Sequence, residues 1–126
     1  MADAVTSNPA LVKSTIVGTI LQLAMVLAGH YSPAISNKFA VGGMTISGIA
    51  GLLFSLWSRQ KSAAAAASGG VVAGGISAFL GILVSHLLGD VPASVLGVGT
   101  AGSAVTGAIG GVLGKMFGPK TDGAQA

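Results

Sequence analysis

The scarcity of charged side chains constrains this chain more than any other feature of its sequence. Six basic and three acidic residues are spread over 126 positions, whereas 52% of the residues are hydrophobic. A soluble domain carries about 25% charged residues, and disordered chains are rich in charge and poor in apolar residues. The composition therefore excludes disorder and most soluble classes, and it favours a chain whose main partner is the lipid bilayer.

Four apolar segments are long enough to cross a bilayer, for which a helix needs about 20 residues. Pro9 and Pro33 stand near the starts of the first two segments, where the missing N–H of proline costs nothing. No alternation with the period of a barrel strand is sustained. We therefore predict an all-α integral membrane protein with four transmembrane helices, covering residues 9–29, 33–57, 70–88 and 92–117.

The two halves of the chain resemble each other. A shift that places Pro33 on Pro92 also lays SGIAGLLFS over TGAIGGVLG, and a slightly shorter shift aligns His30 with His86. We therefore predict two repeated helical hairpins related by a pseudo-two-fold axis along the membrane normal. A single transmembrane domain, 1–126, then consists of repeat one (9–57), a cytoplasmic linker (58–69), repeat two (70–118) and a flexible C-terminal tail (119–126).

Basic residues gather at one end of the expected bundle. They are Lys13, Arg59, Lys61, Lys115 and Lys120. The opposite end has only Lys38 and Asp90. Because positive charge accumulates on the cytoplasmic side of membrane proteins, we expect both termini in the cytoplasm and a location in a bacterial inner membrane. The small net charge of +3 indicates this topology and no nucleic-acid partner.

Both histidines end an outgoing helix shortly before the proline that begins the next one. A histidine in a last helical turn can bond free carbonyls and interact favourably with the negative end of the helix dipole. The alternative is that His30 and His86 form a polar ring at the outer mouth of a permeation path. Partial protonation of these histidines near neutral pH would then gate the path or select which solutes enter it.

Small residues recur at every fourth position of the second and fourth predicted helices. This spacing lines one helix face and permits the close backbone approach on which helix association in lipid depends. The ridges are Gly43, Ser47, Gly51 and Ser55 on the second helix, and Gly99, Ser103, Gly107 and Gly111 beside Gly102, Thr106, Gly110 and Gly114 on the fourth. We expect helix packing here, with hydroxyls such as Ser47 and Thr106 lining a narrow polar path as the alternative.

No ionisable residue lies in the middle of a predicted span, which disfavours proton relays, cation-coupled pumps and voltage sensors. Gln22 is the most polar residue at mid-span, and we expect it to bond between helices or to contact a solute. His86 and Asp90 lack a third metal ligand, and the glycine-rich stretch after Leu96 lacks the GK[ST] ending of a phosphate loop. We therefore predict no enzyme activity, no metal site and no cofactor.

Two functions are compatible with these features. The first is a homo-oligomeric passive channel or small-solute permease, whose candidate pore or mouth residues are His30, His86, Gln22, Ser47 and Thr106. The second is a structural or accessory subunit of a complex with other membrane subunits, or a holin-like protein that assembles with itself.

Overall fold

The computed structural model describes residues 9–36, 38–58 and 62–117, and these residues form helices joined by short connections. In chain order the helices are α1 (Pro9–Tyr31), the single-turn α2 (Pro33–Ser36), α3 (Phe39–Ser58), α4 (Ala63–Leu87) and α5 (Ser94–Phe117). Of these, α1, α3, α4 and α5 are long and apolar enough to cross a membrane. The prediction of an all-helical chain with four candidate spans is confirmed, and these helices indicate a membrane location.

The third span begins earlier than the sequence predicted. Helix α4 starts at Ala63 and not at Gly70, so that residues 63–69 of the predicted linker are helical. Ser62 is the N-cap, and its hydroxyl accepts a hydrogen bond of 3.0 Å from the Ala65 N–H. The cap satisfies one of the free N–H groups of the first turn, and the alanines that follow are the strongest helix formers.

Two further boundaries differ from the prediction. The predicted second span is divided into α2 and α3, with Lys38 between them. The fourth helix begins at Ser94, two residues after Pro92. The predicted tail, residues 119–126, lies outside the described residues.

Helices α3 and α4 form the centre of the bundle. They pack against each other, and both α1 and α5 pack against the two of them, with α1 and α5 on opposite sides. A two-fold axis that exchanged the hairpins α1–α3 and α4–α5 would make the α1–α5 contact equivalent to the α3–α4 contact. The packing gives no support for that axis, and the duplication stays a prediction.

The bundle has two distinct ends. The histidine end carries the connections 32–38 and 88–93, where Nδ1 of His30 lies 2.8 Å from Oδ2 of Asp90. The terminal end carries the starts of α1 and α4 and the ends of α3 and α5. There the Lys13 ammonium lies 5.1 Å from the centre of the Trp57 ring, a cation–π contact between α1 and α3.

Apolar side chains fill the terminal half of the interior. Leu11, Ala50, Phe54 and Ala73 form a buried cluster there. The Phe54 ring occupies the space in front of Gly69, where an added Cβ would overlap it. This half is therefore closed by direct packing.

Candidate functional site

Helix α5 meets α4 through the ridge Gly99, Ser103, Gly107 and Gly111. A Cβ on Gly107 would overlap the Gly70 carbonyl, and a Cβ on Gly70 would overlap the Gly107 carbonyl. A Cβ on Gly111 would likewise overlap the Ala66 carbonyl. The two backbones are thus in direct contact over the terminal half of the bundle, and this contact requires glycine.

The second ridge of α5, formed by Gly102, Thr106, Gly110 and Gly114, faces α3. A Cβ on Gly110 would overlap the Gly48 carbonyl, and a Cβ on Gly114 would lie 2.8 Å from the Leu52 carbonyl oxygen. The Thr106 hydroxyl donates to the Ser103 carbonyl of its own helix at 3.0 Å. Both ridges of α5 therefore lie against neighbours in the same chain.

The ridge on α3 faces α1 near the start of the helix and α5 further along. Gly43 faces α1, and a Cβ there would lie 3.5 Å from Oε1 of Gln22. Further along, a Cβ on Gly51 would overlap the Gly107 carbonyl, and the Ser55 hydroxyl donates to the Gly111 carbonyl. The contacts of Gly51 and Ser55 join α3 to α5 within the terminal half.

A buried polar layer crosses the bundle at Gln22 and joins three helices. Nε2 of Gln22 donates to the Gly43 carbonyl at 3.0 Å and to the Ser47 hydroxyl at 3.2 Å. The Ser47 hydroxyl donates in turn to the Gly74 carbonyl at 3.2 Å. Gln22 is 2% exposed, and Gly81 makes room for it, because a Cβ on Gly81 would lie 2.7 Å from the Gln22 Cβ.

A cavity of about 520 Å³ lies between this polar layer and the histidine end. It is bounded by α1, α3, α4, α5 and the 88–93 connection. Its polar lining consists of Gln22, Ser85, Asp90 and Ser103. Most of its wall is apolar, formed by side chains that include Met25, Val26, Met44, Ile82, Val95 and Val98. A space of this size falls within the range of about 300–1,000 Å³ that is typical of small-molecule sites.

The connection from α4 to α5 positions both histidines. Gly89 ends α4 with a φ of 83°, a conformation that favours glycine. The Gly89 and Asp90 N–H groups bond the His86 and Ser85 carbonyls at 2.9 and 3.0 Å, the pattern of a Schellman cap. The turn directs the Asp90 carboxylate towards α1, where it accepts from His30.

His86 also bonds the α4–α5 connection, at Val91, the residue after Asp90. Its Nδ1 lies 2.9 Å from the Val91 carbonyl oxygen, and since a carbonyl can only accept, Nδ1 carries the proton. His30 has a carboxylate partner and His86 a backbone partner, so the two residues are not equivalent. Neither bonds a free carbonyl of its own last turn, and the predicted mouth ring stays a prediction.

Of the predicted pore residues, Gln22 and Ser47 are in direct contact, and both histidines lie at the cavity end of the bundle. Thr106 is bonded within α5 and is not among the residues that line the cavity. Sequence reasoning missed Met25 and Met44 as wall residues. No signal in the sequence points to them, because the pairing with Gly42 and Gly102 comes from the packing, in which a Cβ on either glycine would lie 2.6 Å from a methionine side-chain atom.

Among the described residues, no three His, Asp or Glu side chains are placed to hold a metal ion together. No protein-family model matches the chain, and comparisons with curated proteins and with solved structures find no match. What the chain does must therefore be inferred from its own cavity and polar layer.

Proposed function

We propose that this chain is a passive channel or permease for small uncharged solutes, with the cavity as its vestibule and the Gln22 layer as its constriction. The observation that carries this proposal is a cavity whose lining includes a buried, hydrogen-bonded glutamine at mid-span. Conduction would require both a rearrangement of Gln22 and Ser47 and an opening of the terminal half, which direct packing closes in this structure.

Uncharged solutes suit the interior best. Gln22, Ser47 and Ser103 offer amide and hydroxyl groups, and the cavity carries a carboxylate only at its mouth, on Asp90. An ion that loses its water needs charges or many oriented dipoles to replace it. Small neutral molecules such as water, ammonia or urea need only a few hydrogen bonds.

The orientation is part of the proposal. Lys13 and Lys115 lie at the terminal end, which the positive-inside rule assigns to the cytoplasm. The vestibule would then open outside the cell, in a bacterial inner membrane. Ile35→Cys and Ala93→Cys should react with an impermeant maleimide in intact cells, whereas Ala64→Cys should react only after lysis. Labelling of position 64 in intact cells would reverse the orientation.

Homo-oligomer formation is also part of the proposal. Because both ridges of α5 are used within the chain, contacts between copies would use another face. The outer face of α1, with Ile16 at 52% and Ile20 at 60% exposure, is the strongest candidate.

The duplication of the hairpins is part of the proposal as well. It rests on the sequence match around Pro33 and Pro92. A structure of the assembled protein in which α1 and α5 of one chain pack as α3 and α4 do would support the pseudo-two-fold axis.

Flux through proteoliposomes tests the channel directly. Swelling assays with water and urea, and pH-dye assays with ammonia, should give rates above those of protein-free liposomes, while monovalent ions should not pass. Gln22→Leu should change the solute rates at least about tenfold, since it removes the polar group of the constriction. Thr45→Val is the matched control, because that hydroxyl bonds the Val41 carbonyl on the exposed face of α3.

The closed terminal half favours a second candidate, a structural or accessory membrane subunit. Backbone contacts and the Phe54 cluster fill this half in the single chain. Two results together would support this alternative. No solute would cross proteoliposomes that contain the protein, and the protein would stay soluble in mild detergent only when other subunits are present. Open-ended self-assembly would point to the holin-like form.

A further inference from the structure

We propose that the cavity binds an uncharged amphiphile from the bilayer, one with an apolar chain and a head group that donates a hydrogen bond, such as a hydroxyl or a primary amide. This inference concerns binding and is independent of whether any solute crosses the membrane. It rests on the polar groups of the cavity floor, its apolar wall and an opening at its side.

The cavity presents polar atoms that have no partner in the described part of the chain, at its floor on Gln22 and nearer its mouth on Ser85. Nε2 of Gln22 makes both hydrogen bonds of that side chain, and among the described residues no group donates to its Oε1. The Ser85 hydroxyl is buried without a partner among the described residues, on a residue that is 2% exposed. Ser85 lies one helical turn beyond Gly81, which contacts Gln22. A head group that donates a hydrogen bond would give the Gln22 Oε1 a partner, and at Ser85 it would satisfy a hydroxyl whose burial without a partner is unfavourable.

The side opening lies between α3 and α5. These helices are in backbone contact at Gly48 and Gly110, but towards the histidine end Met44 stands between them, against Gly102. Val98 lines the cavity and is nevertheless 76% exposed, so the cavity reaches the outer surface of the bundle there. Val98 follows Ser94, the first residue of α5, by four positions, so it lies about 6 Å along the helix axis towards the terminal end. The opening therefore faces lipid, and the flexible Met44 can move to admit a chain.

An uncharged head group fits the floor better than a cation. Asp90, the carboxylate of the cavity, lies at the mouth and is already bonded to His30. An ammonium group beside Gln22 would lose its water without gaining a counter-ion, which is costly within a membrane. The cavity therefore selects a hydroxyl or an amide over an amine of the same chain length.

A photoreactive 1-dodecanol with a diazirine in its chain tests the proposal on the purified protein in nanodiscs. Crosslinks mapped by mass spectrometry should concentrate on cavity-lining residues of α1, α4 and α5. Unlabelled 1-dodecanol should compete at concentrations about tenfold lower than dodecane or dodecylammonium, the advantage expected of a hydrogen bond made in a buried site. Equal competition by dodecane or dodecylammonium would overturn the proposal, as would labelling spread evenly over the outer helix faces.

Variants separate the opening from the floor. Val98→Trp should reduce cavity labelling by 1-dodecanol at least about fivefold by filling the opening, while a short probe, diazirine-bearing butanol, still enters through the mouth. Ile109→Trp, at a position 54% exposed on the same helix but not among the cavity-lining residues, is the control. Gln22→Leu should abolish the advantage of dodecanol over dodecane. Unchanged labelling in Val98→Trp with unchanged thermal stability would exclude entry from the bilayer.

Discussion

Glycines occur in both halves of the bundle, yet they face different partners. In the terminal half Gly70, Gly107 and Gly110 lie against backbone carbonyls of neighbouring helices. In the histidine half Gly42 and Gly102 lie against the ends of methionine side chains. At the first set of positions the helices touch and the interior is closed, whereas Gly42 and Gly102 lie beside the cavity. At these positions, closure of the bundle goes with backbone contact, and the cavity goes with contact to a flexible side chain.

The largest expected effect comes from bulk at the centre of the closed half. Gly107→Leu should lower the free energy of unfolding by about 3 kcal/mol or more, because Gly107 touches the backbones of both α3 and α4 and neither can withdraw alone. Gly97→Leu is the matched control on the same helix, since nothing lies within 4 Å of a Cβ there. Loss of helicity measured by circular dichroism during detergent titration compares the two. Equal stability of both variants would show that α5 does not pack as described.

A smaller substitution separates the two halves directly. Gly110→Ala places a methyl group against the Gly48 carbonyl, whereas Gly102→Ala places one 2.6 Å from the terminal methyl group of Met44. The backbone of α3 must shift in the first case, and only a flexible side chain must move in the second. We expect a loss of about 2 kcal/mol for Gly110→Ala and less than about 1 kcal/mol for Gly102→Ala, measured by the same titration. A reversed order would contradict the distinction between the halves.

The closed half was the more predictable from sequence. Ridges of small residues at every fourth position can be read directly from the chain, and the structure places Gly107 and Gly110 against neighbouring helices. The use of both α5 ridges within the chain could not be foreseen, because spacing identifies a face but not the helix that covers it. The early start of α4 was also missed, since a run of alanines after Ser62 suits a linker as well as a capped helix.

The cavity and its mouth depend on pairings between distant segments. Nothing local in the sequence places Met44 opposite Gly102 or the Asp90 carboxylate beside His30, which is in the other hairpin. Gln22 could be singled out because a glutamine at mid-span needs partners in lipid. The identity of those partners, Gly43 and Ser47, followed only from the packing of α1 on α3.

The smallest expected effects concern the two histidines of the open half. His30 bonds Asp90 with side chains 32% and 22% exposed and meets the Tyr31 ring edge-on, with ring centres 5.0 Å apart. Among the described residues, His86 bonds the Val91 carbonyl. His30→Gln and His86→Gln should each cost less than about 1 kcal/mol of stability, because partly exposed pairs of this kind contribute little.

Flux separates a gating role of these histidines from a structural one. An imidazole changes charge between about pH 5 and 8, and the groups that face the pair are Asp90, the Tyr31 hydroxyphenyl ring and the Val91 carbonyl. If the histidines gate the mouth, urea flux should vary with pH in the parent protein and lose that response in the His30→Gln, His86→Gln double variant. Lys38→Gln, which removes an exposed cation at the same end, should retain it. A pH response that survives in the double variant would leave the histidines with the single task of holding the α4–α5 connection over the cavity.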